Sequence, residues 1–251
     1  MSTNPLAGRV AVVCGGSGGI GAASARLLAE AGATVVVGYH SNSAKAAAVA
    51  ADLPGAGHVA LPAPMTDSPA LVRLAAMVAE RFGRGDILVN SAGMTTPVPH
   101  GDLDALSDEL IDEVFKVNWR GPFAAIRAFR TLLAASGGGL VVNISSIAAT
   151  TGVGSSIAYC GAKAGLDIMT VALARALAPE IRVLSVSPGV VDTDFVAGRT
   201  AEANAKIAAA TPLKRVASTE EVAQAVLACA THLTFSTGSI IQVDGGRHLG
   251  A

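Results

Sequence analysis

Short apolar segments alternate with longer segments of helical periodicity along the whole chain. Most of the apolar segments are unbroken runs, which is typical of strands buried on both faces of a parallel sheet. Six runs of this kind cover residues 10–13, 34–37, 87–89, 140–144, 183–186 and 240–243, and a weaker one covers 58–61. The pattern therefore predicts about seven strands.

The segments between these strands place apolar residues at helical spacing. They cover residues 22–31, 70–81, 106–133, 157–177 and 220–230. Repeated β-α units of this kind predict one α/β domain over residues 1–251, with a doubly wound parallel sheet and helices on both faces. The alanine-rich stretch 197–210 predicts either a substrate flap, around residues 190–215, or an ordinary surface helix.

Composition and charge disfavour a nucleic-acid-binding, membrane-spanning, disulfide-bonded or metal-binding protein. A formal net charge of −1 over 251 residues gives no long-range field to attract nucleic acid or an anionic membrane. No apolar run is expected to span a membrane, and the N-terminal residues lack the pattern of a secretory signal, so we expect a cytoplasmic protein. The three scattered cysteines and the five histidines lack ligand spacing, which predicts neither a disulfide framework nor a metal site.

A glycine-rich loop follows the first predicted strand and opens a helix, reading Cys14-Gly-Gly-Ser-Gly-Gly-Ile-Gly21. Gly15 permits a tight turn, Gly19 lets the backbone approach a pyrophosphate, and Gly21 lets the helix pack closely on the strand. The free N–H groups and the positive dipole end of the helix would hold the phosphates. The loop therefore predicts the dinucleotide-binding site of a Rossmann-type fold.

The same loop also contains Gly15-x-Ser17-x-Gly19, the nucleophile-elbow pattern of α/β-hydrolases. An elbow serine normally follows several earlier strands, whereas this loop follows the first strand and continues to Gly21. A hydrolase that uses Ser17 is therefore the lesser alternative.

Further motifs follow in an order and spacing that resemble the short-chain dehydrogenase/reductase family. The matching residues extend essentially from end to end of the chain. They are Gly15-x3-Gly19-x-Gly21, Asp86-Ile-Leu-Val-Asn90, Asn90-Ser-Ala-Gly93, Asn118, Asn143-Ile-Ser-Ser146, Tyr159-x3-Lys163, Pro188-Gly189 and Val243-Asp-Gly-Gly246.

The resemblance implies an oxidoreductase with the catalytic residues Asn118, Ser146, Tyr159 and Lys163. Spacing of four residues puts Tyr159 and Lys163 on one helix face, where the ammonium would favour ionisation of a phenol whose ordinary pKa is about 10. By resemblance, Ser146 hydrogen-bonds the substrate oxygen, whereas Ser145 is expected to be a turn or N-cap serine. Asn118 would hold a local helix distortion and a water that links Lys163 to solvent. The implied reaction is reversible hydride transfer between a nicotinamide and a carbonyl or alcohol, with Tyr159 as general acid and base.

The segment after the second predicted strand favours NADP(H) over NAD(H). It reads Gly38-Tyr-His-Ser-Asn42 and lacks the acidic residue that binds the ribose 2′-hydroxyl in NAD enzymes. A 2′-phosphate would meet His40, Ser41, Asn42 or Lys45. Met65 is expected to contribute backbone groups, because Pro64 offers no side-chain acceptor to adenine. The residues expected to bind the cofactor are Gly15, Ser17, Gly18, Gly19, Ile20, Gly21, His40, Ser41, Asn42, Met65, Asn90, Ala92, Gly93, Tyr159, Lys163, Pro188, Gly189, Val191 and Thr193.

Within the family, the chain most resembles 3-oxoacyl-acyl-carrier-protein reductases and related ketone or alcohol enzymes. Arg120, Arg127 and Arg130 are clustered arginines that would meet an acidic carrier protein or lie at a subunit interface. The resemblance implies a homotetramer with a small-molecule carbonyl or alcohol substrate. A cofactor-binding regulator without catalysis is the second hypothesis. The pocket is expected to be mostly apolar, lined by Thr95, Thr96, Ala148, Val153, Val190 and Phe195.

Overall fold

A seven-stranded parallel sheet forms the centre of the molecule. The computed structural model describes residues 4–193, 195–196 and 200–250. The strand order is β3-β2-β1-β4-β5-β6-β7, so the predicted doubly wound parallel sheet is confirmed. The strands are β1 (Val10–Cys14), β2 (Thr34–Tyr39), β3 (Val59–Pro62), β4 (Ile87–Asn90), β5 (Gly139–Ile144), β6 (Ile181–Pro188) and β7 (Ile240–Val243).

Helices cover both faces of this sheet. Helices α1, α2 and α9 pack on one face through residues such as Leu28, Ala46 and Val226, and helices α3, α5 and α7 pack on the other through residues such as Leu74 and Phe129. Every residue of β1, β4 and β5 is buried, as expected for strands covered on both sides. The helices are α1 (Gly19–Glu30), α2 (Ser43–Asp52), α3 (Ser68–Phe82), α4 (Asp108–Phe115), α5 (Gly121–Ala135), α6 (Ala148–Thr151), α7 (Ile157–Leu177), α8 (Ala201–Ala210) and α9 (Thr219–Thr231).

The strand order locates the expected ligand crevice. The chain moves outward from β1 to β2 and β3, then returns to the other side of β1 with β4. The loops that leave β1 and β4 therefore turn toward opposite faces of the sheet and leave a crevice between them. The carboxyl ends of these two strands are where a bound ligand is expected.

The segment predicted as one helix over residues 106–133 is interrupted. Helix α4 passes through a π-helical turn, Lys116–Arg120, before α5 begins at Gly121. Apolar periodicity continues through the turn, so the pattern alone gives no sign of the break. The carboxamide of Asn118, at the centre of the turn, donates a hydrogen bond to the Val114 carbonyl at 2.9 Å and supports this distortion.

The alanine-rich stretch forms a surface helix over its second part. Helix α8 begins after Thr200, whose hydroxyl accepts a hydrogen bond from Ala203 N and caps the helix, and it buries none of its side chains. Residues 197–199 of the predicted flap lie outside the described residues, as does residue 194. The helical alternative therefore holds for Ala201–Ala210.

Helix α7 is the described segment with the composition nearest to that of a membrane span. It has 21 residues and an 18-residue stretch with a mean hydropathy of 1.3, which is long and apolar enough to cross a bilayer by length and composition alone. Half of its most apolar stretch is buried inside the protein, where the helix packs on β6 and carries the buried residues Lys163 and Asp167. A core helix of a folded domain meets the same criterion.

Asp86 closes the N-terminal edge of the central strands through a buried carboxylate. It accepts hydrogen bonds from Arg9, from Arg84 and from Val10 N at 2.6 to 2.8 Å. Burial alone would raise the pKa of Asp86, but the hydrogen bonds from Arg84, Val10 N and Arg9 outweigh it and lower the pKa. The carboxylate thus ties β1 and β4 together in its ionised form.

We expect Asp86→Asn to lower the free energy of unfolding by about 3 kcal/mol at pH 7, because it leaves buried donors without their anionic acceptor. Because the pKa of Asp86 is lower in the folded state, its ionised carboxylate stabilises the fold at pH values above the ordinary Asp pKa of about 3.9. This stabilisation disappears as the pH falls through the folded-state pKa. Urea unfolding at fixed protein concentration should therefore separate wild type from Asp86→Asn at pH 7, and the difference should be smaller at pH 3, below the ordinary Asp pKa. An equal gap at both pH values would contradict this role.

Candidate active site

A cavity of about 1110 Å³ opens at the carboxyl ends of the strands. Its walls come from the segments that follow β1, β4, β5, β6 and β7, together with residues of α2, α7 and α8. This is the crevice that the strand order predicts. Pockets for drug-sized ligands usually measure about 300 to 1000 Å³, so this cavity has room for a dinucleotide and a second small molecule.

The glycine loop forms one end of the cavity. Gly15 has a φ of +80°, and a Cβ there would lie 2.6 Å from Ala92 N, so only glycine fits between β1 and the segment after β4. Gly19 has a φ of +51°, and the nearest atom to a Cβ there, in the Thr193 side chain, is 3.7 Å away, which leaves the backbone open to the cavity. Gly21 packs directly on Gly15 O. The α1 N-terminus with its free N–H groups therefore faces the space where a pyrophosphate would fit.

Tyr159 and Lys163 lie together on α7 and both line the cavity. The Lys163 Nζ lies 5.6 Å from the centroid of the Tyr159 ring and donates a hydrogen bond to the Ile144 carbonyl, at the end of β5, at 2.7 Å. Burial lowers the pKa of Lys163 to about 8, although the charge of Asp167 acts in the opposite direction. The ammonium is thus fixed next to the phenol ring.

Ser145 and Ser146 both line the cavity, but their hydroxyls have different hydrogen-bond partners. The Ser146 hydroxyl accepts a hydrogen bond from Ala148 N at 3.2 Å, within the turn after β5. Ser145 was expected to be a turn or N-cap serine, but its buried hydroxyl donates to the Lys163 carbonyl at 3.4 Å. The reason is that Ser145 continues the strand, with its N–H bonded to Val186 O, and turns its side chain toward α7.

Asn118 is buried behind the cavity wall. Its carboxamide donates to Met94 O at 2.8 Å and accepts from Met94 N at 3.3 Å, which joins the π-helical turn to the segment after β4. A Cβ at Gly93 would lie 2.9 Å from the Asn118 Oδ1, so a glycine is needed at position 93. The structure thus places Asn118 in a helix distortion, as the resemblance implies.

The predicted cofactor residues fall into two groups. Those that line the cavity are Gly18, Gly19, Ile20, Gly93, Tyr159, Lys163, Pro188, Gly189, Val191 and Thr193. Gly15, Gly21 and Ala92 shape the loops from behind, and Ser17 does not line the cavity. The Asn90 amide donates to Asn143 Oδ1 inside the sheet, and Met65 is buried against Gly121, so these two side chains lie away from the cavity.

Of the residues expected near a 2′-phosphate, some line the cavity and others do not. His40, Ser41 and Asn42 are exposed and do not line the cavity, and the Asn42 carboxamide caps α2 by accepting from Lys45 N at 2.9 Å. Lys45 does line the cavity, and a Cβ at Gly18 would lie 3.1 Å from its Nζ. The described residues of the cavity include no Asp or Glu, so a cation without a competing acid stands beside the glycine loop.

The substrate side of the cavity is mostly apolar. Ala148, Val153, Val190 and Phe195 line it as predicted, and the Phe195 ring lies 6.0 Å from that of Tyr159. Thr95 and Thr96 do not line it, and the Thr95 hydroxyl is hydrogen-bonded to that of Ser155. The pairing of Thr95 with Ser155 depends on a loop contact between residues 60 positions apart, which periodicity does not reveal.

Two residues near the site have no counterpart in the sequence prediction. Asp167, one turn after Lys163, is buried and accepts a hydrogen bond from the Ser185 hydroxyl at 2.9 Å. Its spacing of four residues from Lys163 was a usable signal. Arg247, after β7, lines the cavity, and the only sequence signal near it is the motif Val243-Asp-Gly-Gly246, which by itself does not show that the C-terminal segment returns to the site.

The chain is similar to known dehydrogenases and reductases over nearly its whole length. Residues 15–248 match the family model described as enoyl-(acyl carrier protein) reductase. The chain is 38% identical over 251 residues to a Streptomyces violaceoruber protein named as a ketoacyl reductase of the granaticin polyketide synthase, covering 99% of this chain and 100% of that one. It is 40% identical over 246 residues to the cis-4-hydroxycyclohexanecarboxylate dehydrogenase of Sinomonas cyclohexanicum, covering 96% and 97%. A solved short-chain type dehydrogenase/reductase from Mycobacterium ulcerans has a TM-score of 0.90 and 29% identity, covering 98% of this chain and 91% of that one.

Proposed function

The chain belongs to the short-chain dehydrogenase/reductase family of oxidoreductases, and from that membership we propose that it transfers a hydride reversibly between NADP(H) and a carbonyl or secondary alcohol carbon, with Tyr159 as general acid and base. The observation that carries the proposal is that Ser146, Tyr159 and Lys163 line the same cavity as the glycine loop. Family membership replaces the hydrolase alternative, and Ser17 does not line the cavity.

The site fits a dinucleotide cofactor. The open backbone at Gly19 and the α1 N-terminus suit a pyrophosphate, and Pro188, Gly189 and Thr193 line the cavity beyond it. When bound, the nicotinamide supplies or accepts the hydride, which is chemistry that no side chain here provides. The protein contributes position, polarisation and a path for the proton.

Each catalytic side chain has a distinct task in this proposal. In reduction, the Tyr159 hydroxyl gives its proton to the substrate oxygen as the carbon gains the hydride, and in oxidation the phenolate takes the proton back. Lys163 stabilises the phenolate because its ammonium is held near the ring by the Ile144 carbonyl. Ser146 positions the substrate oxygen by hydrogen bonding. Asn118 holds the π-helical turn through its bonds to Val114 and Met94, and the family resemblance implies a water there that links Lys163 to solvent.

Lys45 supports the preference for NADP(H). We expect Lys45→Ala to lower kcat/KM with NADPH by about 10- to 100-fold and to leave kcat/KM with NADH nearly unchanged, because only the 2′-phosphate needs the cation. Initial rates with both cofactors measure this, with His40→Ala as the matched control outside the cavity. A wild-type preference for NADH, or an equal loss with both cofactors, would contradict the assignment.

The substrate and the setting of the enzyme are also part of the proposal. Ketoacyl compounds and hydroxycyclohexanecarboxylates, which the names of two relatives mention, are the first substrates to try.

We propose a homotetramer that packs through α5 and α7, supported by the exposed apolar side chains of Ile168 and Val171 on α7. The free thiols of Cys14, Cys160 and Cys229 support a reducing, cytoplasmic location.

The direct test is a panel of ketones, ketoacyl thioesters and secondary alcohols assayed with NADPH, NADH and their oxidised forms. Turnover of a carbonyl or alcohol that depends on nicotinamide cofactor supports the proposal. A preparation that binds NADPH but turns over nothing across the panel would instead favour a cofactor-binding regulator.

A further inference from the structure

The cavity carries more positive charge than the proposed reaction uses. Its described lining residues include Lys45, Lys163 and Arg247 and no Asp or Glu, although the whole chain has a formal net charge of −1. Lys45 stands beside the glycine loop, and Lys163 lies next to Tyr159. The guanidinium of Arg247 is therefore a permanent charge in the cavity without an assigned task.

A buried carboxylate fixes the segment that carries Arg247. Asp244, at the end of β7, accepts hydrogen bonds from Gly246 N at 3.0 Å and from His248 N and Nδ1, each at 2.7 Å. These bonds hold the short 3-10 turn Arg247–Leu249 against the cavity. Asp244 also packs on Gly189, which lines the cavity after β6, so the position of Arg247 is coupled to the site.

Arg247 has little to satisfy it within the protein. It is partly buried, and among the described residues its guanidinium makes one long hydrogen bond, from Nη1 to Ile207 O on α8 at 3.4 Å. No carboxylate of the described part of the chain lies within ion-pair distance of it. A guanidinium has five N–H donors in a planar fork, so most of them are available to a ligand.

We propose that Arg247 binds a carboxylate carried by the substrate. The planar fork matches a carboxylate in a bidentate pair, and a counter-ion offsets the cost of a partly desolvated cation. Val196, Ala210 and Leu249, which line the same cavity and also come from the C-terminal part of the chain, are apolar, so the substrate has an apolar body with one anionic end. This inference rests on the proposed function, because it names the class of carbonyl or alcohol compound that the same cavity takes.

Binding of a non-reacting ligand tests Arg247 without any turnover. Benzoate, benzamide and phenyl phosphate are titrated into the NADP⁺-saturated protein by calorimetry. We expect benzoate to bind about 10- to 100-fold more tightly than benzamide, Arg247→Gln to remove this difference, and Arg247→Lys to keep part of it. Arg81→Gln, which changes an exposed arginine of α3 outside the cavity, should behave as wild type, and the NADPH affinity should be the same in all variants.

Turnover then separates the two proposals. In the wild type, a keto acid such as 4-acetylbenzoate should have a kcat/KM about 10- to 100-fold above that of its methyl ester, and the difference should arise in KM. In Arg247→Gln the acid and the ester should have similar kcat/KM values. Arg247-dependent benzoate binding without turnover of any carbonyl would leave the carboxylate site standing and defeat the proposed function. The carboxylate site would be overturned if benzoate and benzamide bound equally or not at all, or if phenyl phosphate bound more tightly than benzoate in an Arg247-dependent way. It would also be overturned if Arg247→Gln lowered kcat/KM equally for the acid and the ester.

Discussion

Tyr159→Phe is expected to lower kcat by about 10²- to 10⁴-fold while the affinity for NADPH stays within a factor of about two. The change removes one oxygen atom, so the ring keeps its packing against Phe195 and Lys163 but has no proton to give or take. Hydride transfer without a proton donor would leave an alkoxide in a mostly apolar cavity, which is costly. The chemical step is lost, and the cavity is preserved.

The measurement combines steady-state rates on the best substrate of the panel with NADPH titration by fluorescence. Tyr39→Phe is the matched control, because Tyr39 is the other tyrosine of the chain and does not line the cavity. It should keep wild-type rates. Wild-type turnover in Tyr159→Phe would end the assignment of Tyr159, and loss of NADPH binding would show that the change disturbed the cavity instead.

The second large effect concerns the charge on Lys163. We expect Lys163→Met to lower kcat about 10²-fold or more, because a methionine of similar length has no ammonium to stabilise the phenolate. In wild type the buried ammonium has a pKa of about 8, so kcat should decline as the pH rises through this value and the amine becomes neutral. Rates from pH 6 to 10 locate this decline.

Asp167 sets where that decline falls. Burial raises the pKa of Asp167, whereas Ser145, Ser185 and the Lys163 ammonium oppose the increase, and in its ionised form the carboxylate stabilises the charge on Lys163. Asp167→Asn removes the negative charge, lowers the pKa of Lys163 and should move the decline to lower pH. Ser185→Ala removes a hydrogen bond to Asp167 but no charge, so its decline should stay near that of wild type. An unchanged profile in Asp167→Asn would show that this carboxylate has a purely structural role.

Local sequence patterns were sufficient to predict the strands of the sheet and the glycine loop. Unbroken apolar runs identify buried parallel strands because both faces of such a strand avoid water, and all seven predicted strands are present. The glycine loop was equally readable, since Gly15 and Gly19 adopt conformations that other residues rarely adopt. Spacing of four residues is sufficient to put Tyr159 and Lys163 on one helix face.

The π-helical turn and the hydrogen-bond partner of Ser145 could not be predicted from local sequence patterns. Residues 106–133 have continuous helical periodicity, yet the Asn118 carboxamide bonds to Met94, on a distant loop, and the helix takes a π turn. Ser145 was expected to bond within a turn but donates to the Lys163 carbonyl, because the direction of its side chain depends on where the strand ends against β6. Such features depend on contacts between segments far apart in the chain.

The sequence by itself determined the sheet, the glycine loop and the pairing of Tyr159 with Lys163, because each of these follows from periodicity or from the conformational limits of single residues. Only the tertiary structure decided that Lys45 rather than His40 faces the cavity, that Asp167 is buried beside Lys163, and that Arg247 returns to the site from the C-terminal segment. The physical reason is that burial and charge at a site are sums over residues brought together by the fold, and no local stretch of sequence contains that sum.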